Sequence, residues 1–177
     1  MKIIKNHVTS KHHPAPASGD NVINELSPEA SLLLNLCWKV CDKAEFQPKD
    51  GKTFCNLSVQ EIGRSYGVEY LHGLMANDIH LYLSNSMRWG KVTGQQAQES
   101  ANRGKLVISA WLNLDGGSGH CAVVCPGVME HSPSWGKDVP LVANVGLTNG
   151  VMRASEAYRE EPEYFTIMTP SMSANGV

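Results

Sequence analysis

Apolar residues recur at helical spacing through Leu33, Leu36, Cys37, Val40 and Cys41, which predicts an amphipathic helix opening near residue 28. Its start is marked chemically. Ser27 suits the N-cap, Pro28 the first helical position, and Glu29 the positive end of the helix dipole. Cys37 and Cys41 lie one turn apart on the apolar stripe and read as core thiols. Pro48-Lys49-Asp50-Gly51 breaks the pattern. A second stripe follows at Cys55, Val59, Ile62 and Tyr66, the i, i+4, i+7, i+11 positions of one helix face, with Gly63 weakening that helix and Gly67 ending it. Two further helices are predicted, over residues 74–83 and 95–102, the latter stopped by Gly104.

Beyond Gly104 the pattern changes to strands. Residues 105–112 read as a strand, and the turn Asp115-Gly116-Gly117-Ser118-Gly119 leads into another over residues 120–125, making a hairpin. Pro126-Gly127 is a break, and the stretch His131-Ser132-Pro133-Ser134-Trp135-Gly136 shows no periodicity and reads as a loop. Residues 141–146 and 164–168 are the remaining strands. Helices first and an antiparallel sheet second, with no internal repeat, is an α+β pattern.

The chain has 177 residues, enough for one domain with a sizeable core. Residues 1–26, rich in proline, glycine and polar groups, are expected to form a flexible N-terminal tail, residues 27–170 the folded domain, and residues 171–177 a C-terminal tail. His12 and His13 fall in the first tail and read as solvated rather than metal-bound. A formal charge of −2 and the lack of a basic stripe argue against nucleic acid as partner. Five cysteines without a CxxC pair indicate neither a disulfide framework nor a four-cysteine zinc site. Residues 1–7 lack the apolar run of a secretory signal, and no later run is long enough to span a bilayer, so no membrane partner is expected.

The chemistry concentrates on Cys55 and His120. A thiol at the start of a helix sits where the dipole favours its anion, and an imidazole projected from a strand can hold its proton. His120 opens its strand in Gly119-His120-Cys121-Ala122-Val123-Val124, and Asn144 stands in the otherwise apolar Val142-Ala143-Asn144-Val145-Gly146, where a buried amide must find partners. Alternation along the strand sends Cys121 to the face opposite His120, as packing. A zinc site drawn from His72, Asp78, His80, His120 and His131 lacks any His-Glu-x-x-His or paired-cysteine motif, so neither metal nor cofactor is expected.

These segments resemble the NlpC-type and CHAP-type branch of the papain-like cysteine peptidases and amidases, in which a cysteine starts a helix, a histidine starts a strand in a Gly-His-x-Ala-Val-Val context, and a polar residue on the next strand orients it. The resemblance spans roughly residues 50–146 and includes Gly104-Lys105-Leu106-Val107 before the hairpin. It implies a papain-like fold, Cys55 as nucleophile, His120 as base and Asn144 as orienter, with no cofactor. The departure is Phe54-Cys55-Asn56, where relatives carry Asp-Cys-Ser or Gln-Cys; the oxyanion donors are then the Cys55 backbone N–H with Asn56 or Gln47. Trp135 and Trp111 are candidate walls of a substrate cleft. The implied substrate is a peptidoglycan peptide, cleaved at an amide through a thioester. The other readings are a thioester-forming acyltransferase using the same residues and a non-catalytic wall-binding module. An enzyme of this kind without an export signal is expected to be made in the cytoplasm and to reach the periplasm or cell wall through a holin, a phage tail or a secretion system. A secretion or phage-tail component, or an immunity protein, is then an expected partner.

Overall fold

The computed structural model of the chain describes residues 26–168; the expected tails, with His12 and His13, lie outside the described residues apart from Leu26. Among the described residues there are five helices: α1 (Pro28–Asp42), α2 (Cys55–Ser65), α3 (Ala76–Asn85), α4 (Gly94–Asn102) and the single turn α5 (Ala154–Ala157), with a 3-10 turn at Ala44–Phe46 after α1. The strands are β1 (Trp89–Val92), β2 (Val107–Trp111), β3 (His120–Val124), β4 (Glu130–Ser132), β5 (Lys137–Val139), β6 (Leu141–Val145), β7 (Asn149–Arg153) and β8 (Glu163–Ile167). Six of them make one sheet in the order β1-β8-β2-β3-β6-β7, antiparallel at every pairing, and β4 and β5 form a separate hairpin. The α+β class read from the sequence is the class observed.

Local chemistry explains the helix starts. Ser27 Oγ accepts from the Ala30 N–H at 3.2 Å, a cap worth about 1 kcal/mol, and Pro28 follows it in the first turn. On α1 the buried positions are Ala30, Leu33, Cys37, Val40 and Cys41, so the predicted stripe faces inward. It covers β6 and β7, while α2 covers β3 and α3 lies against β1 to β3. Tyr66, just past α2, donates from its hydroxyl to the Gly104 carbonyl at 3.0 Å and ties the end of that helix to the turn after α4. The core joins Leu33, Ile62, Leu71, Ile79, Leu83, Ile108, Val123 and Phe165 in one cluster with all five cysteines.

Several parts of the fold differ from the sequence reading. Residues 131–136, read as an unpatterned loop, are the end of β4 and the turn to β5, and β1 and β7 were not anticipated at all. Those two strands are the edges of the sheet. Each is paired along one side only and partly open to solvent, so they lack the apolar alternation that marks an inner strand.

Candidate active site

Cys55 is placed by a tight turn. Asp50 (φ 51°) and Gly51 (φ 74°) both take the left-handed conformation, and Lys49 and Lys52 exchange backbone hydrogen bonds of 3.1 and 2.9 Å across them. Asp-Gly is the pair such a turn favours. Two residues later the chain enters α2 at Cys55. Its N-cap is Phe54, which has no side chain able to bond the first-turn amides, so these donors stay open to an anion. The Cys55 side chain is almost enclosed, at 6% exposure.

His120 is placed by the β2–β3 hairpin. Gly119 is obligatory for close approach: a Cβ there would run into Asn77 Oδ1 and the Trp111 carbonyl. Asn77, on α3, holds the hairpin through its Nδ2 to the Gly117 carbonyl (3.0 Å) and accepts from the Asn113 N–H (3.0 Å). His120 is therefore fixed to α3 as well as to the sheet.

Asn144 stands on β6, the strand next to β3. Its Nδ2 donates to the Thr148 carbonyl at 2.6 Å, which leaves Oδ1 pointing at His120 Nε2, 2.7 Å away. An amide oxygen accepts only, so Nε2 carries the proton and Nδ1 is the nitrogen free to serve Cys55. The pKa shifts agree. A hydrogen bond from the Cys121 thiol, opposed by burial and reinforced by the hydrogen bond and charge of His120 and by the Cys121 N–H, holds the Cys55 thiol down at about 4. Burial disfavours charge on His120, but the hydrogen bond and negative charge of Cys55, with the Asn144 bond, outweigh it and raise the imidazole above its ordinary value. The two groups favour a thiolate–imidazolium pair.

Cys121 is fully buried in the core, and it also neighbours Cys55. α2 packs against β3, which puts Cys55 beside the strand that carries both His120 and Cys121. As donor to Cys55, and fully buried, Cys121 is itself held well above the ordinary thiol range.

A cleft of about 980 Å³ opens against the histidine, lined by His120, Asn144 and Trp135 together with Thr53, Thr148 and Tyr158. Trp135, one of the two candidate walls, is among the residues that line it. Trp111 sits directly across from His120 in the β2–β3 register, half-buried and outside that lining. The two suggested amide oxyanion donors are engaged elsewhere. Asn56 Nδ2 donates to the Leu74 carbonyl at 3.0 Å, and Gln47 Nε2 to the carbonyls of Cys41 and Lys43 at 3.0 and 3.1 Å, so both secure loops, and the Cys55 N–H with the open first turn of α2 remains.

Tyr158 escaped the sequence reading. Its ring packs edge-on to His120 at 4.9 Å, and its hydroxyl is locked between Ser109 Oγ (2.8 Å) and the Ser109 carbonyl (3.0 Å). Nothing in the local sequence marks it, since it follows a four-residue helix on an unanticipated stretch. The histidines of the discarded zinc site are dispersed: His80 Nε2 pairs with Glu163 (3.1 Å), and His131 Nδ1 with Asp138 (3.2 Å). Among the described residues no group of three His, Cys, Asp or Glu is arranged to hold a metal ion.

Comparison with known proteins found no family model and no curated sequence that matches this chain. The functional reading therefore rests on the site itself.

Proposed function

We propose that this protein is a cysteine-dependent amide hydrolase of the NlpC/CHAP, papain-like type, acting on cell-wall peptides through a thioester. The observation that carries the reading is the ordered contact of three residues from three elements. Cys55, held near pKa 4 at an open helix start, meets His120, whose Nε2 is bound at 2.7 Å to Asn144 beside a cleft. Support also comes from the chain order cysteine, histidine, asparagine and from the six-stranded antiparallel sheet that carries the last two.

In the proposed reaction the Cys55 thiolate adds to the substrate carbonyl, and the oxyanion is met by N–H groups at the start of α2. The His120 Nδ1 proton passes to the departing amine, leaving a thioester on Cys55 and a neutral imidazole. Nδ1 then takes a proton from water as the water oxygen attacks the thioester, and Cys55 leaves as thiolate. Asn144 keeps the second ring nitrogen bonded throughout, so the ring neither flips nor changes tautomer.

The test is digestion of purified sacculi with mass analysis of the released peptides. The wild type is expected to release peptides cut at one kind of amide bond, and Cys55→Ala to lose at least about 10³-fold of the rate. Equal release by Cys55→Ala overturns the proposal. Products carrying an added amine instead of water identify acyl transfer.

A further inference from the structure

Apart from His120 and Asn144 themselves, the cleft is lined by apolar and hydroxyl-bearing residues and glycine, with two charged exceptions, Glu156 and Arg159. Glu156 is already neutralised. Arg153 Nη2 donates to its Oε1 at 2.7 Å and the Arg153 N–H to its Oε2 at 3.1 Å, and these bonds hold the carboxyl below its ordinary range. Arg159 has neither a hydrogen bond nor an ion pair among the described residues, although it is exposed on the same wall. Its place is nonetheless firm. It follows Tyr158, whose ring packs on His120 and whose hydroxyl is doubly bonded to Ser109, so the backbone that carries Arg159 is fixed one residue from a ring that rests on the base.

A guanidinium is a planar fork of donors matched to a carboxylate and always charged at working pH. We propose that Arg159 binds a carboxylate of the substrate peptide close to the scissile amide, so that the enzyme selects acidic peptides over their amidated forms. This rests on the hydrolase reading given above for where the scissile amide lies. Apolar neighbours Trp135, Leu147 and Met152 on the same cleft reduce the competition from water around such a pair.

Two synthetic stem-type peptides provide the test, identical except that the carboxylate beside the scissile amide is free in one and a primary amide in the other. Binding is measured by calorimetry on full-length Cys55→Ala protein, and turnover on protein with Cys55 intact, each with and without Arg159→Gln. The free acid is expected to bind about fivefold more tightly and to show a KM lower by the same factor, the upper range for an exposed ion pair, with the advantage shrinking as salt is raised. Arg159→Gln is expected to bring the acid-to-amide ratio close to one, Arg159→Lys to retain part of it, and Arg103→Gln, a remote change of the same charge, to retain it in full. An undiminished ratio in Arg159→Gln, or no preference for the acid in the first place, overturns the inference. Peptides cleaved equally in both forms leave the hydrolase reading standing and this one refuted. An acid bound through Arg159 but never cleaved does the reverse.

Discussion

Asn144 decides which nitrogen of His120 is held as a donor and which is left free. With Nδ2 committed to the Thr148 carbonyl, Oδ1 accepts from Nε2, and the proton acceptor for Cys55 must be Nδ1. The working form under the proposed mechanism is thiolate with imidazolium, and the sign of each shift sets the pH window. Cys55 is lowered to about 4, so its thiolate is lost only as pH falls through that value; His120 is raised, so its proton is lost only above the ordinary imidazole value of about 6.5. We predict a bell-shaped kcat/KM with an acid limb near pH 4 and an alkaline limb above pH ~6.5, and iodoacetamide labelling of Cys55 that persists below pH 7 while Cys37, Cys41, Cys121 and Cys125 stay unlabelled. Removing the acceptor in Asn144→Ala takes away a bond that favours the charged ring, so the alkaline limb moves to lower pH. That variant should keep partial activity, whereas His120→Ala should lose about 10²- to 10⁴-fold. An unchanged alkaline limb in Asn144→Ala would show that this amide neither orients nor tunes the ring. Cys55, His120 and Asn144 stand out as candidates in sequence because each lies at an element start or in an apolar run that makes it conspicuous. Tyr158 does not, since its place beside His120 depends on a contact made across the fold.

At the scale of elements, the glycines of the helix and the hairpin make opposite demands. Gly119 lies against Asn77 Oδ1 and the Trp111 carbonyl, and the latter is backbone that cannot turn aside. Gly119→Ala is expected to cost about 1–3 kcal/mol, read as a lower urea midpoint, and to reduce activity because the hairpin and His120 must shift together. Gly63 sits inside α2, where an added Cβ would meet Val68 no closer than 3.5 Å, an ordinary contact. Gly63→Ala is therefore expected to raise stability by about 0.5–1 kcal/mol. If both substitutions lower stability equally, the steric account of Gly119 is wrong. The helices were legible because caps and 3.6-residue stripes are local properties. The edge strands β1 and β7 and the β4–β5 hairpin were not, because half-exposed strands of three to five residues carry few apolar positions and owe their shape to the partner they pair with.

For the whole molecule the proposal implies that harm to a cell depends on which side of the inner membrane the protein is placed. Expression inside a Gram-negative host should be tolerated, fusion to a periplasmic signal peptide should make the wild type lytic, and the same fusion with Cys55→Ala should be harmless in a culture-density assay. Equal lysis by both fusions would point to a cause other than catalysis, and toxicity without export to an amide substrate inside the cell. No helix of the described residues is long and apolar enough to cross a membrane. The sequence by itself determined the α+β class, the helix that starts at Cys55 and the strand that starts at His120, because hydrophobic period, turn residues and helix-start chemistry act over a few neighbouring positions. Only the tertiary structure decided that α2, β3 and β6 bring Cys55, His120 and Asn144 together, that Asn56 and Gln47 are engaged elsewhere, and that Tyr158 and Arg159 complete the cleft. Those are matters of which distant segments pack against one another, and that is settled by burying one common core rather than by any local pattern.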